Sequence, residues 1–171
     1  MTTFYLSAAI AIVSTAMVIT RSNAVHALLY LVVSLLAVAV IFYVLGAPFA
    51  AALEVIIYAG AIMVLFAFVV MMLSLGSRAA ALERRWMPPT AWIGPGLLAL
   101  ILAGELGYLL LGSQPQGGSA TGNSAAGAAI GPAQVGGALF GPYLLAVELA
   151  SILLLAALAG AYHLGRERAE S

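Results

Sequence analysis

The chain has 171 residues, of which 64% are hydrophobic and only 7% are charged, and its formal net charge is zero. Soluble domains carry roughly 25% charged residues, so this chain cannot cover its surface in water, and its solvent must be lipid. All six basic residues are arginine, and they form no basic stripe that would bind nucleic acid. Cysteine is absent and the only histidines are His26 and His163. This composition excludes disulfides and thiolate metal sites and argues against a zinc, haem or iron–sulfur centre in this chain.

Five apolar segments are predicted to span the membrane, because each is close to the about 20 residues that a crossing helix needs. They are residues 2–20, 26–45, 50–74, 91–111 and 139–163. The first is interpreted as a retained span, since it lacks a charged start and Arg21 follows it instead of a small-residue cleavage site. The fold class predicted is an all-α polytopic membrane protein, with one membrane domain over residues 1–171.

The connections between these segments carry the usual signals of helix ends and turns. Thr20–Asn23 is a polar break with good capping residues, and Gly46–Pro48 predicts a tight turn. Residues 112–137 are rich in Gly, Ser, Ala, Gln and Pro and hold no charge, which predicts a flexible outer loop. Pro142 is expected in the first turn of the fifth span, where proline is tolerated.

The arginines predict the orientation of the chain in the membrane. If five spans alternate, the first connection, the third connection and the C-terminal tail share one side, and together they hold all six arginines: Arg21, Arg78, Arg84, Arg85, Arg166 and Arg168. The other side then holds no basic residue. By the positive-inside rule the N-terminus lies outside, in the periplasm, and the C-terminus in the cytoplasm, and an odd number of spans is favoured.

Three glutamates lie inside the predicted spans: Glu54, Glu105 and Glu148. An ionised carboxylate at mid-bilayer costs about 2.5–3.5 kcal/mol on insertion scales, so each must be paired, face water or carry a proton. Tyr58 follows Glu54 by four residues and shares its helix face. This pair predicts either a proton-relay element or, with equal weight, a glutamate near the interface that caps the helix N-terminus.

Glu105 and Glu148 are interpreted as partnered contacts between helices or subunits, and Tyr108 is the partner available to Glu105. Gly60 lies in Ala59–Ala61, the smallest patch in any span, and has two interpretations. Small residues let a neighbouring helix approach closely, which the residues alone favour. Alternatively, glycine marks a distortion such as a π-bulge, a feature frequent at functional sites. No nucleophile–base set or phosphate loop is present, so no bond-making chemistry is predicted for this chain alone.

Several blocks resemble one family in order along the chain: Asn23–Tyr30, Leu45–Ala47, Glu54–Phe66, Trp92–Pro95 and Phe140–Ser151. The family is subunit J of bacterial NADH–quinone oxidoreductase (respiratory complex I), whose mitochondrial counterpart is NADH dehydrogenase subunit 6. The Glu54–Phe66 block is the most specific of these.

The resemblance implies a subunit of the membrane arm of a proton-pumping translocase, in the bacterial inner membrane. Its expected partners are the lipid bilayer and subunits A, H, K, N and L, and no nucleic acid. It implies no cofactor in this chain, because FMN, the iron–sulfur clusters and quinone belong to other subunits of that complex. The alternative is a purely structural or assembly subunit. A free-standing transporter is disfavoured, because five spans do not divide into the repeats that transporters use.

The resemblance also implies functional residues in the third span. In the family a π-bulge lies near the block that is Tyr58–Ala61 here, and its conversion to α-helix is proposed to open a water path toward the membrane carboxylates. Tyr58 and Gly60 are therefore the candidates for this switch, and Glu54 is a supporting proton-path residue. Glu148 matches a fifth-span glutamate with a less defined role. Glu105 is only a further candidate, since an apolar residue is usual there.

Overall fold

The computed structural model describes residues 2–73, 92–112 and 130–166, and every regular element in these ranges is helical. In chain order the elements are α1 (Thr2–Thr20), α2 (Ala24–Val44), α3 (Pro48–Leu53), a π-helix (Glu54–Ile62), α4 (Met63–Leu73), α5 (Ile93–Gly112), α6 (Pro132–Leu139) and α7 (Leu144–Gly165). The backbone stays helical at the junctions, at Glu54 and at Met63, so α3, the π-helix and α4 form one continuous stretch, the third span. The all-α fold class is confirmed for these residues.

Four helical stretches among the described residues are long and apolar enough to cross a membrane: Thr2–Thr20, Ala24–Val44, Pro48–Met72 and Leu144–Gly165. The chain is therefore a multi-pass membrane protein. In α5 the apolar stretch Ile93–Leu109 is shorter than these four. A short apolar helix can still cross where the bilayer thins around it. The fifth crossing at α5 thus stays a prediction.

Local sequence signals determine the helix ends in the first half of the chain. The Asn23 side chain accepts hydrogen bonds from the backbone N–H groups of Val25 and His26, and so caps α2. Gly46 has a φ of 83°, in the left-handed region that favours glycine, and Pro48 follows it in the first turn of α3. The predicted cap and the predicted tight turn are both confirmed.

The chain divides into two compact units, Met1–Ala129 and Ile130–Ser171. In the first unit α1 packs along α2, and α5 and the third span also contact α2. Its buried apolar cluster combines residues of α1, α2 and α5: Ile10, Val33, Ala37, Val40 and Leu102. A Cβ placed on Gly94, at the start of α5, would overlap with the hydroxyl of the buried Tyr30 in α2. Glycine therefore lets the start of α5 lie close to the Tyr30 side chain.

In the second unit a turn joins α6 to α7. The Gly131 N–H donates to the Gln134 side chain and Pro132 occupies the first turn, which explains why α6 forms inside the segment predicted as a loop. The rest of that predicted loop, residues 113–129, lies outside the described residues. Helix α7 begins at Leu144, so Pro142 lies in the turn before the helix and not in its first turn as expected. A Cβ on Gly141 would lie 2.7 Å from the Gly137 carbonyl oxygen, which requires glycine in this turn.

Candidate functional site in the third span

The π-helix Glu54–Ile62 contains the three residues of the third span that the sequence selects. At its end the Met63 N–H donates to the carbonyl of Tyr58, five residues earlier, as well as to that of Gly60. A five-residue step is the hydrogen bond that defines a π-helix. The distortion expected around Gly60 is therefore present, and it includes Glu54 and Tyr58.

Gly60 is the position of this π-helix at which a side chain would be crowded by the backbone. A Cβ built on it would lie 3.2 Å from the carbonyl oxygen of Val55, five residues earlier, and no side chain of the described residues lies within 4 Å of it. A side chain at this position would thus be crowded by the helix's own backbone and not by a neighbouring helix. The packing interpretation of Gly60 finds no support within the described residues, whereas the distortion interpretation does.

Glu54 lies too far along the third span to cap it. The helical stretch begins at Pro48, with Ala47 at the N-cap position and no side-chain cap. Glu54 follows Pro48 by six residues, about 9 Å at 1.5 Å per residue. The capping interpretation is therefore wrong for this glutamate.

Within the first unit, the described residues leave the part of the third span that carries Glu54 and Tyr58 largely uncovered. Glu54 is half-buried and Tyr58 is 51% exposed, and within the described third span no hydrogen bond joins their side chains. Of the described residues of this span, only Ala51 and Met63 are buried. Among the described residues of the first unit, the pair is therefore open to contact with further groups.

An apolar cavity of about 420 Å³ lies beside the start of the π-helix, between α2, the third span and α5. Val55 of the π-helix lines it, together with alanines from all three segments, such as Ala39, Ala51 and Ala99. The sequence did not indicate this cavity, because its small lining residues come from segments that are distant along the chain. It leaves free volume next to the part of the third span that departs from α-helical geometry.

Glu105 lies inside the first unit, away from solvent and lipid. It is 9% exposed, and the hydroxyl of Ser7 in α1 donates to its Oε2 at 2.8 Å. The expected partner, Tyr108, is 74% exposed, so its ring points away from this contact. Ser7 was missed because a serine in an apolar span gives no signal of its partner.

Glu148 lies on α7 in the second unit and is exposed there. Ser151 donates its hydroxyl to the backbone carbonyl of Glu148 at 2.7 Å and not to the carboxylate. No described residue of α7 is buried. Among the described residues no three His, Cys, Asp or Glu side chains lie close enough together to hold a metal ion.

Comparison with known proteins places these features in a family. The family model for NADH-ubiquinone/plastoquinone oxidoreductase chain 6 matches residues 14–164. The chain belongs to this family. Among chain 6 relatives, NADH-quinone oxidoreductase subunit J of Pseudomonas aeruginosa is 55% identical over 167 residues, which cover 98% of this chain and 97% of the relative. The Escherichia coli (strain K12) subunit J is 55% identical over 164 residues, covering 96% and 85% of the two chains. The subunit J of Buchnera aphidicola from Schizaphis graminum is 47% identical over 165 residues, covering 96% and 97%.

The match to the chain 6 family runs from the middle of α1 to the end of α7 and so includes the whole π-helix. The family resemblance deduced from the sequence blocks is confirmed.

Proposed function

We propose that this chain is a membrane-arm subunit of a proton-pumping NADH–quinone oxidoreductase and that it helps to couple quinone reduction to proton translocation. The coupling step is a conversion of the π-helix Glu54–Ile62 to regular α-helix. The observation that carries the proposal is that this one element holds a carboxylate, a phenol and a glycine whose Cβ position is crowded by the helix backbone: Glu54, Tyr58 and Gly60. Flavin, cluster and quinone chemistry belongs to other subunits.

The geometry of the third span explains why such a conversion would act at a distance. A π-helical turn holds about one residue more than an α-helical turn, and an α-helix turns about 100° per residue. When a π-helical turn converts to α-helix, the helix that follows it is therefore rotated by about 100°. The element that follows is α4 (Met63–Leu73), whose side chains Phe66 and Phe68 are more than half exposed. The conversion therefore presents a different face of α4 to its surroundings, and the cavity beside Val55 supplies free volume for it.

The exposure of Glu54 and Tyr58 supports the assembly part of the proposal. A carboxylate that faces lipid at mid-bilayer costs about 2.5–3.5 kcal/mol, so this face is covered by protein or by water in the working enzyme. The same holds for Glu148, which is exposed on α7. We assign this cover to neighbouring membrane subunits, A, H, K, N and L by the family resemblance, and to a water path between them. The chain crosses the bacterial inner membrane five times with its C-terminus in the cytoplasm.

The direct test follows the hydrogen bond of Met63 through the catalytic cycle. In the π-helix its N–H donates to the Tyr58 carbonyl, whereas in an α-helix it would donate to that of Ala59. Structures of the assembled enzyme at rest and during turnover should show the first bond in one state and the second in the other. If Met63 keeps the bond to Tyr58 in every state, the conversion does not occur.

A further inference from the structure

The apolar cavity between α2, the third span and α5 follows these three segments over a similar length. It is lined by residues of Leu36–Tyr43 in α2, Pro48–Val55 in the third span and Ala99–Leu106 in α5. The two ends of each stretch are seven residues apart, which is about 10 Å at 1.5 Å per residue. Gly46 lies in the turn that joins the first two stretches. The cavity therefore extends about 10 Å from this turn along the helices.

This length places the cavity in one leaflet of the bilayer. The turn at Gly46 joins two helical stretches that are each long and apolar enough to cross a membrane, Ala24–Val44 and Pro48–Met72, so the turn lies at a membrane surface. The hydrocarbon core is about 30 Å thick, so each leaflet contributes about 15 Å. A cavity that reaches about 10 Å inward from the turn thus lies at the depth of the acyl chains of one leaflet.

The lining excludes water as the occupant. Among the described residues that line the cavity, Tyr43 alone has a polar side-chain atom, and the others are alanine, valine, leucine and proline. An internal water needs about two to four polar partners, which this lining does not supply. Tyr43 lies one residue before the end of α2, next to the membrane surface, where tyrosine is enriched. The one polar residue of the described lining is therefore at the level of the lipid headgroups.

The cavity is large, and it opens between the third span and α5. Its volume of about 420 Å³ is nearly three times that of a dry cavity of about 150 Å³ that binds benzene. The lining residues Ala39, Ala51 and Leu102 are buried, whereas Ala52 of the third span and Ala103 of α5 are exposed, which places the opening between these two segments. An empty space of this size leaves its lining atoms without contacts and lowers stability, so an apolar occupant is required.

We propose that this cavity binds one acyl chain of a phospholipid from the leaflet next to the Gly46 turn. The chain enters between the third span and α5 and packs its methylene groups against the alanines of the lining, while the headgroup stays at the level of Tyr43. The chain comes from an apolar medium, so its entry requires no desolvation of polar groups. It also rotates about its single bonds and adapts to a new position of Val55, so the cavity still allows the helix conversion proposed above.

The first experiment uses the assembled enzyme in phosphatidylcholine vesicles that contain a phosphatidylcholine with a photoreactive diazirine halfway along one acyl chain. After illumination, mass spectrometry should locate label on the buried lining residues Ala39 and Ala51. A lipid with the diazirine in its headgroup should leave both residues unlabelled. The experiment rests on the assembly proposed above, but it measures label and not pumping, so its result is independent of the π-helix conversion. Absence of label from both alanines with the acyl-chain probe overturns the proposal.

Larger side chains in the cavity should displace the acyl chain. Ala99→Phe adds a ring to the lining on α5 and should remove most of the label from Ala39 and Ala51. Ala103→Leu is a smaller change that preserves folding more readily, and it should remove part of the label. Leu100→Phe is the matched control, because Leu100 is 72% exposed and does not line the cavity, and it should leave the label unchanged. Equal labelling of Ala99→Phe and Leu100→Phe contradicts the proposal.

A high-resolution map of the enzyme in the same lipid identifies the occupant of the cavity. Density for a chain should fill the cavity and continue to a glycerol headgroup beside Tyr43. An empty cavity, a side chain of a neighbouring subunit in this space, or the branched tail of a quinone would each overturn the proposal.

Discussion

Substitution of Gly60 tests whether the π-helix takes part in coupling. A Cβ at this position would lie 3.2 Å from the Val55 carbonyl oxygen, closer than an ordinary van der Waals contact. Alanine therefore requires the Val55 carbonyl to shift by a few tenths of an ångström, and valine adds two further methyl groups at the same point. A regular α-helix accepts either residue, and alanine is about 1 kcal/mol better there than glycine. Both substitutions thus disfavour the π-helix specifically.

The size of the effect follows from the cost of overpacking, about 1–3 kcal/mol. We assign the low end to Gly60→Ala and the high end to Gly60→Val. An energy difference of this size shifts a two-state equilibrium by roughly 5-fold to 150-fold. Because the proposed cycle needs both helical forms, Gly60→Val should slow quinone-coupled proton pumping strongly, and Gly60→Ala less so.

The assay compares NADH–quinone electron transfer and proton uptake in inside-out membrane vesicles that contain equal amounts of assembled complex. Gly104→Val on α5 is the control, since a Cβ there meets no atom within 4 Å. Gly60→Val should reduce pumping while the complex still assembles, and Gly104→Val should leave pumping near its original rate. Loss of assembly before any loss of pumping, or the same result for both valine variants, would refute the reasoning.

Three further outcomes are expected. Glu54→Gln should lower the number of protons pumped per electron, measured in the same vesicles; an unchanged ratio would favour the purely structural role. Gly94→Ala places a methyl group against the Tyr30 hydroxyl and should destabilise the packing of α5 on α2 by about 1–3 kcal/mol, measured as release of the subunit at a lower temperature. Adding Tyr30→Phe removes that hydroxyl and should restore much of the lost stability. Asn23→Ala removes the cap of α2 and should cost about 1 kcal/mol in the same thermal assay, whereas Asn23→Asp, which can still cap, should not.

Sequence reasoning located the features that are determined locally. The Asn23 cap and the Gly46 turn depend on residues within a few positions of one another, so their signals are complete in the sequence. Gly60 was an intermediate case, because a small residue in a membrane helix permits both close packing and a backbone distortion. The π-helical backbone, in which a Cβ at Gly60 would lie 3.2 Å from the Val55 carbonyl oxygen, favours the distortion.

The features that sequence reasoning missed depend on contacts between distant segments. Tyr108 was the natural partner for Glu105 by spacing, but the rotation of α5 places its ring outside and the carboxyl group inside. The partner Ser7 lies in another helix, and nothing in the sequence of α1 indicates the register that brings them together. The cavity beside Val55 is similar, since three segments each contribute only part of its lining.

The three intramembrane glutamates differ in their burial and in their hydrogen-bond partners, and this difference distinguishes the structural glutamate from the two candidate functional ones. Glu105 is buried and bonded within its own chain, whereas Glu54 is half-buried and Glu148 is exposed, and neither carboxylate has a hydrogen-bond partner among the described residues. At about 2.5–3.5 kcal/mol each, two uncovered carboxylates would consume much of the 5–15 kcal/mol that stabilises a typical domain. We therefore expect the isolated chain to be unstable in the bilayer, and Glu54 and Glu148 are the two glutamates that the described residues of their own units leave without a partner.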